Sequence, residues 1–219
     1  MKVTYYIDIM SSWCHWSEPA WADLKKKYAP KVDFSWKIAL MSPSDFPSSR
    51  SQCDFFYQRS GGTTMHSAYI LNSGWLIEKR KGHYQAPNLV AEAARDFGFE
   101  DDTVRLALAH AALREGQDVG NLSISVSVAA KAVKINAKKL YSAADSIAVK
   151  NRVKQSTEEF LAHKVSQRPT FILESSIGDK AVFSGLVAYE PLAATLDAMT
   201  KDAAAYAAHK AHYGTAPIR

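Results

Sequence analysis

Ser11-Ser12-Trp13-Cys14-His15-Trp16-Ser17 is the stretch whose reading decides the fold. An apolar run over residues 3–10, rich in β-branched and aromatic types, leads into it and reads as a buried strand. Beyond it Trp21, Leu24 and Tyr28 recur at helical spacing. A cysteine at the junction of strand and helix meets unpaired N–H groups and a partial positive charge, and both favour thiolate over thiol. The spacing is that of Cys-x-x-Cys, with Ser17 where the second cysteine would stand. Pro19 leaves two helix starts open: a kinked helix beginning at Cys14, or one capped by Ser17 with Pro19 in its first turn.

Working outward, residues 32–40 alternate cleanly. Val32, Phe34, Trp36, Ile38 and Leu40 fall on one face, and Asp33, Ser35, Lys37 and Ala39 on the other. Strand, helix and strand in this order predict a βαβ unit with Cys14 at the carboxyl edge of its first strand. Residues 41–62 turn to Ser, Pro, Asp and Arg, a loop with at most a short helix.

From about residue 63 to 145 the pattern is helical. Leu89, Val90, Ala93, Ala94 and Phe97 form one stripe capped by Asn88, and Val104, Ala107, Leu108 and Ala111 form another after Thr103. Ile124, Val128 and Ala132 form a third after Ser123, and residues 137–144 make a short helix. A longer helix over 147–165 turns Val149, Val153, Phe160 and Leu161 inward. Strands at 167–173, opened by Pro169, and at 181–184 come next. A last helix from Pro191 past Tyr206 carries Leu192, Leu196, Met199, Ala203 and Tyr206 on one face, and the tail at 215–219 is expected to fray. The layout is an α/β domain over 1–60 and 147–219 with an all-helical insertion at 61–146.

Composition narrows the class. Of 219 residues 47% are apolar and 22% charged, which suits a globular protein. The net charge of +5 is scattered, and no stacking platform or nucleic-acid motif accompanies it, so no nucleic-acid partner is expected. Two cysteines are too few for a secreted disulfide framework, no signal peptide is read at the N-terminus, and no run reaches the length of a membrane span. A cytoplasmic address without membrane association is expected. His209 and His212 lack supporting ligands, so no metal site is expected, and no permanently bound cofactor.

Taken together, the element order, the Trp13-Cys14-His15-Trp16-Ser17 stretch, Arg168-Pro169-Thr170, and the string Arg114-Glu115-Gly116-Gln117-Asp118-Val119-Gly120-Asn121 resemble the DsbA-like thioredoxin-fold family, in its FrnE-like cytoplasmic branch. Related branches, the kappa-class glutathione transferases and the 2-hydroxychromene-2-carboxylate isomerases, carry Ser at the first motif position and use glutathione. The resemblance implies a cis bond at Pro169, an extended substrate paired beside it, and thiol–disulfide chemistry. With Ser17 for the second cysteine, that chemistry is expected to be monothiol and completed by glutathione as co-substrate. A glutathione-dependent isomerase or transferase and a non-catalytic peptide-binding module are the alternatives.

In the leading reading Cys14 is the nucleophile. His15 stabilises the thiolate as a cation, shuttles a proton, or is an exposed loop histidine with neither role. Ser17 donates to the Cys14 sulfur, caps the helix, or does both. Trp13 and Trp16 form an apolar rim for glutathione or a disulfide-containing peptide, unless they are core. Arg168, beside Pro169 and Thr170, either binds a glutathione carboxylate or faces solvent. Asp8 is either a buried acid behind the cysteine or on the outer face, and Cys53 either a distant resolving thiol or incidental. A homodimer through the Ala-rich last helix is open.

Overall fold

The computed structural model describes residues 1–65 and 71–215. Four strands, β1 (Lys2–Ile7), β2 (Asp33–Ile38), β3 (Thr170–Glu174) and β4 (Lys180–Ser184), form one sheet in the order β2-β1-β3-β4. β1 pairs parallel with β2 and antiparallel with β3, and β4 is antiparallel to β3. Between β1 and β2 runs α1 (Ser12–Tyr28), and between β2 and β3 come α2 (Arg50–Met65), α3 (Ala86–Ala94), α4 (Thr103–Leu113), α5 (Leu122–Val133), α6 (Ala137–Ala144) and α7 (Ile147–Ala162). α8 (Tyr189–Tyr213) follows β4. This is an α/β thioredoxin fold carrying helices between its second and third strands.

β1 is buried on both faces because each is covered. Val3, Tyr5 and Ile7 join Trp21 and Leu24 of α1 and Phe171 and Leu173 of β3, while Tyr6 meets Ile172 and Phe160 of α7 on the other side. The first of these cores continues into the intervening helices through Val90, Ala91, Val104 and Leu108. A second cluster, with Trp16, Cys53, Tyr57, Trp75 and Tyr84, lies between α1, α2 and the loop after it.

Several local expectations are corrected. β1 stops at Ile7, because Asp8 turns its carboxylate back onto the Met10 N–H. α1 starts neither at Cys14 nor after Ser17: Ser11 is the cap, and Pro19 lies inside the helix. Residues 50–65, expected as loop, form α2, whose buried positions Cys53, Tyr57 and Ser60 are spaced one turn apart. Asn88 sits inside α3, fully buried, and does not cap it. Asn121, not Ser123, caps α5, and the buried face is Ser125, Val126 and Ala129, so Ala132 is exposed. Leu161 and Tyr206 are exposed, not core. Of the tail at 215–219, residues 216–219 lie outside the described residues.

Candidate functional site

The site begins where β1 ends. Asp8 is buried and its carboxylate is held by three donors: Met10 N at 2.9 Å, Met41 N at 2.8 Å and Asn88 Nδ2 at 3.1 Å. Ile9 N donates to Asn88 Oδ1 at 3.0 Å, closing a clamp of β1, α3 and the loop after β2. Burial pushes the Asp8 carboxyl up, and those donors, with the Arg168 charge, pull it back. Asp8 is therefore buried, and its donors tie the entrance to α1 to the loop after β2 and to α3.

Ser11 caps α1, with φ −78° and ψ 120°, and its hydroxyl accepts the Cys14 N–H at 3.3 Å. Ser11 is itself 6% exposed. Ser11, Ser12 and Trp13 wall a cavity of about 400 Å³. The opposite wall comes from Phe46, Cys53, Phe56, Tyr57, Arg59 and Trp75, and Ser166, Gln167 and Arg168 close one side. The mouth thus joins the start of α1 to the loop before β3, where the Arg168–Pro169 bond is cis.

Cys14 lies one turn inside the helix and is 3% exposed, within the core cluster that includes Ile9 and Trp21. Burial pushes its thiol up to about 12, although the Ser11 hydroxyl and the Asp8 backbone pull the other way. The expectation of a thiolate poised at the surface is corrected. A residue three past the cap turns its side chain toward the sheet, and the loss of water there outweighs the helix end. His15 is likewise not a cation: burial, then the Arg114 and His110 charges, bring it down to about 4. Ser17 neither caps the helix nor has its hydroxyl on the sulfur. It is fully buried, donates to the Cys14 carbonyl at 2.8 Å and stands 2.5 Å from the Tyr5 hydroxyl.

Trp13 is on the cavity wall. Trp16 is not: it is buried in the second core cluster with its indole N–H on Ser60 Oγ at 3.0 Å. Arg168 is half-buried beside the cavity. Its Nε donates to the Ala39 carbonyl at 2.7 Å, Nη1 to Ser166 at 2.9 Å and Nη2 to Leu40, so the fork straps the end of β2 to the proline loop. Arg168 thus has a structural role, and it also stands on the cavity wall. Pro169 accepts the Gly185 N–H at 2.7 Å, and Thr170 is buried with its hydroxyl on the Gln167 carbonyl at 2.6 Å.

Cys53 is buried, free like Cys14, and faces the same cavity; burial pushes its thiol up to about 11. The 114–121 string is structural here. Asp118 grips Arg80 with both oxygens, Asn121 caps α5, and Gly116, at φ 68°, has Asn72 Oδ1 2.3 Å from where a Cβ would stand. Among the described residues no group of three His, Cys, Asp or Glu could hold a metal, and no helix is long and apolar enough to cross a membrane.

Sequence reading missed Ser11 and the aromatic wall. The signal for Ser11 was a preferred capping type directly after the strand's last apolar residues; the signal for the wall was the turn-spaced burial of α2.

No protein-family profile and no curated protein matches the chain. Solved structures do. A candidate protein disulfide isomerase from Nitrosomonas europaea superposes with a TM-score of 0.72 at 17% identity, over 92% of this chain and 98% of its own. The cytosolic disulfide reductase DsbM from Pseudomonas aeruginosa, solved with GSH, gives 0.68 at 13% identity over 92% and 100%. A 2-hydroxychromene-2-carboxylate isomerase gives 0.61 at 15% identity over 94% and 98%. At these identities the likeness establishes the fold: a DsbA-like thioredoxin fold with a helical insertion.

Proposed function

We propose that the chain is a glutathione-dependent enzyme in which Ser11, not Cys14, meets the sulfur. The observation that carries this reading is the position of Ser11 at the helix cap and on the cavity wall, with Cys14 buried one turn behind it. Read from Ser11, the motif is Ser-x-x-Cys. The glutathione-using branches carry Ser at the first position, and the Ser11–Cys14 register matches theirs where the Cys14–Ser17 register does not.

The chemistry follows from the geometry. A free thiol near 8.5 is mostly protonated at neutral pH. A glutathione sulfur at the cap would receive the Ser11 Oγ–H and lie against the unpaired N–H groups of the first turn, which favour its thiolate. The backbone beside the cis Pro169 would pair with the extended tripeptide. The electrophile would then occupy the aromatic side of the cavity, facing Phe46, Phe56 and Trp75. The outcome is thiol addition, leading to transfer or to isomerisation with glutathione released.

A second reading is favoured by the Ser11–Cys14 contact. A glutathione mixed disulfide bound with its glutathione sulfur at Ser11 would be attacked by the Cys14 sulfur. A Cys14–glutathione disulfide forms, the substrate S–S bond breaks, and the substrate leaves as its thiol with the Cys14 proton. A second glutathione then frees Cys14 and leaves as oxidised glutathione. That is thiol–disulfide oxidoreduction with glutathione as co-substrate, on disulfide-containing substrates.

The test is the thiolate absorbance of bound glutathione followed against pH. Wild type and Cys14→Ala are expected to hold the bound thiol below its free pKa, and Ser11→Ala to return it about one unit toward it. Loss of the lowered value in Cys14→Ala with retention in Ser11→Ala would overturn the Ser11 reading and leave exchange through Cys14.

A further inference from the structure

The first turn of α1 is joined to its own helix more weakly than a helical turn ordinarily is. Pro19 has no N–H for the His15 carbonyl four residues back, and its ring crowds that carbonyl. Side chains of α1 itself, of β1 and of α4 brace the turn one residue earlier, at Cys14. The Cys14 carbonyl has Ser17 Oγ at 2.8 Å and the Tyr5 hydroxyl at 3.1 Å. The two hydroxyls are 2.5 Å apart, and that of Tyr5 is also 3.1 Å from Glu18 Oε1. Arg105 of α4 grips both Glu18 oxygens, at 2.6 and 2.9 Å, and holds Asp102 through Nε at 2.9 Å and Nη2 at 2.7 Å. Its side chain is 2% exposed, so water does little to screen these charges.

We infer that Tyr5 is a positioning residue for the thiol site, and that Arg105 ties the inserted helix α4 to it through Glu18. The inference rests on the reading of Ser11 as the residue that meets the sulfur. The contacts converge on the Cys14 peptide: Ser17 Oγ donates to its carbonyl, and Ser11 accepts its N–H. The Tyr5 hydroxyl backs the Ser17 donor with its single proton from 2.5 Å and lies 3.1 Å from the same carbonyl. Fixing that residue fixes the direction of the Ser11 hydroxyl. A donor already aimed at the place where charge gathers costs no reorganisation when the ligand arrives. The insertion is thereby part of the site without touching the ligand.

Tyr5→Phe removes one hydroxyl and leaves the ring stacked on Phe171 at 4.6 Å. The experiment is calorimetric titration of glutathione into wild type, Tyr5→Phe, Ser11→Ala and the double variant. Tyr5→Phe is expected to weaken binding about tenfold in the wild-type background, the size of one lost hydrogen bond to a charged group. In the Ser11→Ala background the same change is expected to cost less than about twofold, because there is no donor left to aim. Unchanged affinity in Tyr5→Phe, or an equal loss in both backgrounds, overturns the inference. Wild-type affinity in Ser11→Ala alone removes the premise and the inference with it, a result distinct from either. Ser17→Ala, which removes the other hydroxyl from the Cys14 carbonyl, is expected to repeat the pattern if Tyr5→Phe folds poorly.

Discussion

Ser11 and Cys14 are three residues apart, yet their surroundings differ in kind. One ends a turn at a cavity wall, and the other points into a core of Ile9 and Trp21. Burial holds the Cys14 proton, up to about 12, and the Cys53 proton, up to about 11. A thiol that titrates higher when folded binds its proton more tightly in that state. Its contribution to stability is then complete below the unfolded value near 9 and drains away as pH rises toward 12. Native protein is expected to react slowly with a thiol reagent at neutral pH and to yield both cysteines in denaturant. The fall of the denaturation midpoint above pH 9 should be shallower in Cys14→Ala than in wild type. Fast native labelling of Cys14, or parallel pH profiles, would contradict this account of the sulfur.

At the scale of elements, α1 and α4 meet through charge as well as packing. Asp102 accepts the Trp21 indole N–H at 3.1 Å and the Lys25 ammonium at 2.7 Å, besides Arg105. Replacing Arg105 with Met would leave the Glu18 carboxylate, only 16% exposed, without its cation, while Asp102 keeps Lys25. The expected cost is about 3 kcal/mol, read as a shift in the urea midpoint, because an uncompensated buried charge costs far more than a surface pair returns. Lys27→Ala, whose pair with Asp197 is exposed, should move the midpoint little. Comparable effects from the two substitutions would mean that the α1–α4 contact is not sealed from water. The same scale explains a misreading: α2 looks like loop because Ser, Gln and Arg predominate at its exposed positions, where Phe55 also lies, while one residue per turn suffices to bury it.

For the whole molecule, the core runs without a break from the sheet into the inserted helices, with Val3, Ile38, Leu24, Val90 and Leu108 in one cluster. A single cooperative unfolding transition is therefore expected by fluorescence and circular dichroism alike. The far end of α8 stands outside that unit: from Ala204 to Tyr213 every residue is exposed, whereas Leu192, Leu196 and Met199 are buried. Ending the chain after Ala203 should lower helical signal and leave the unfolding midpoint within about 0.5 kcal/mol of the full chain. A larger loss would show that the distal turns are buried in solution, as in an association of copies through this helix.

Much of this was legible in residue order alone. Alternation in 32–40 and the apolar run at 3–10 specify strands because a sheet face must be apolar wherever it is covered, and turn-spaced stripes specify helices for the same reason. The strand-to-helix junction at residues 11–17 therefore marked the site. What the linear pattern did not hold was which side chain of that junction lines the cavity. Cap choice, the inward turn of Cys14, the engagement of Arg168 with three carbonyls and the gathering of Tyr5, Glu18 and Arg105 depend on partners far along the chain. Periodicity fixes a residue's phase within its own element, whereas desolvation and hydrogen-bond partners exist only once the elements are packed together.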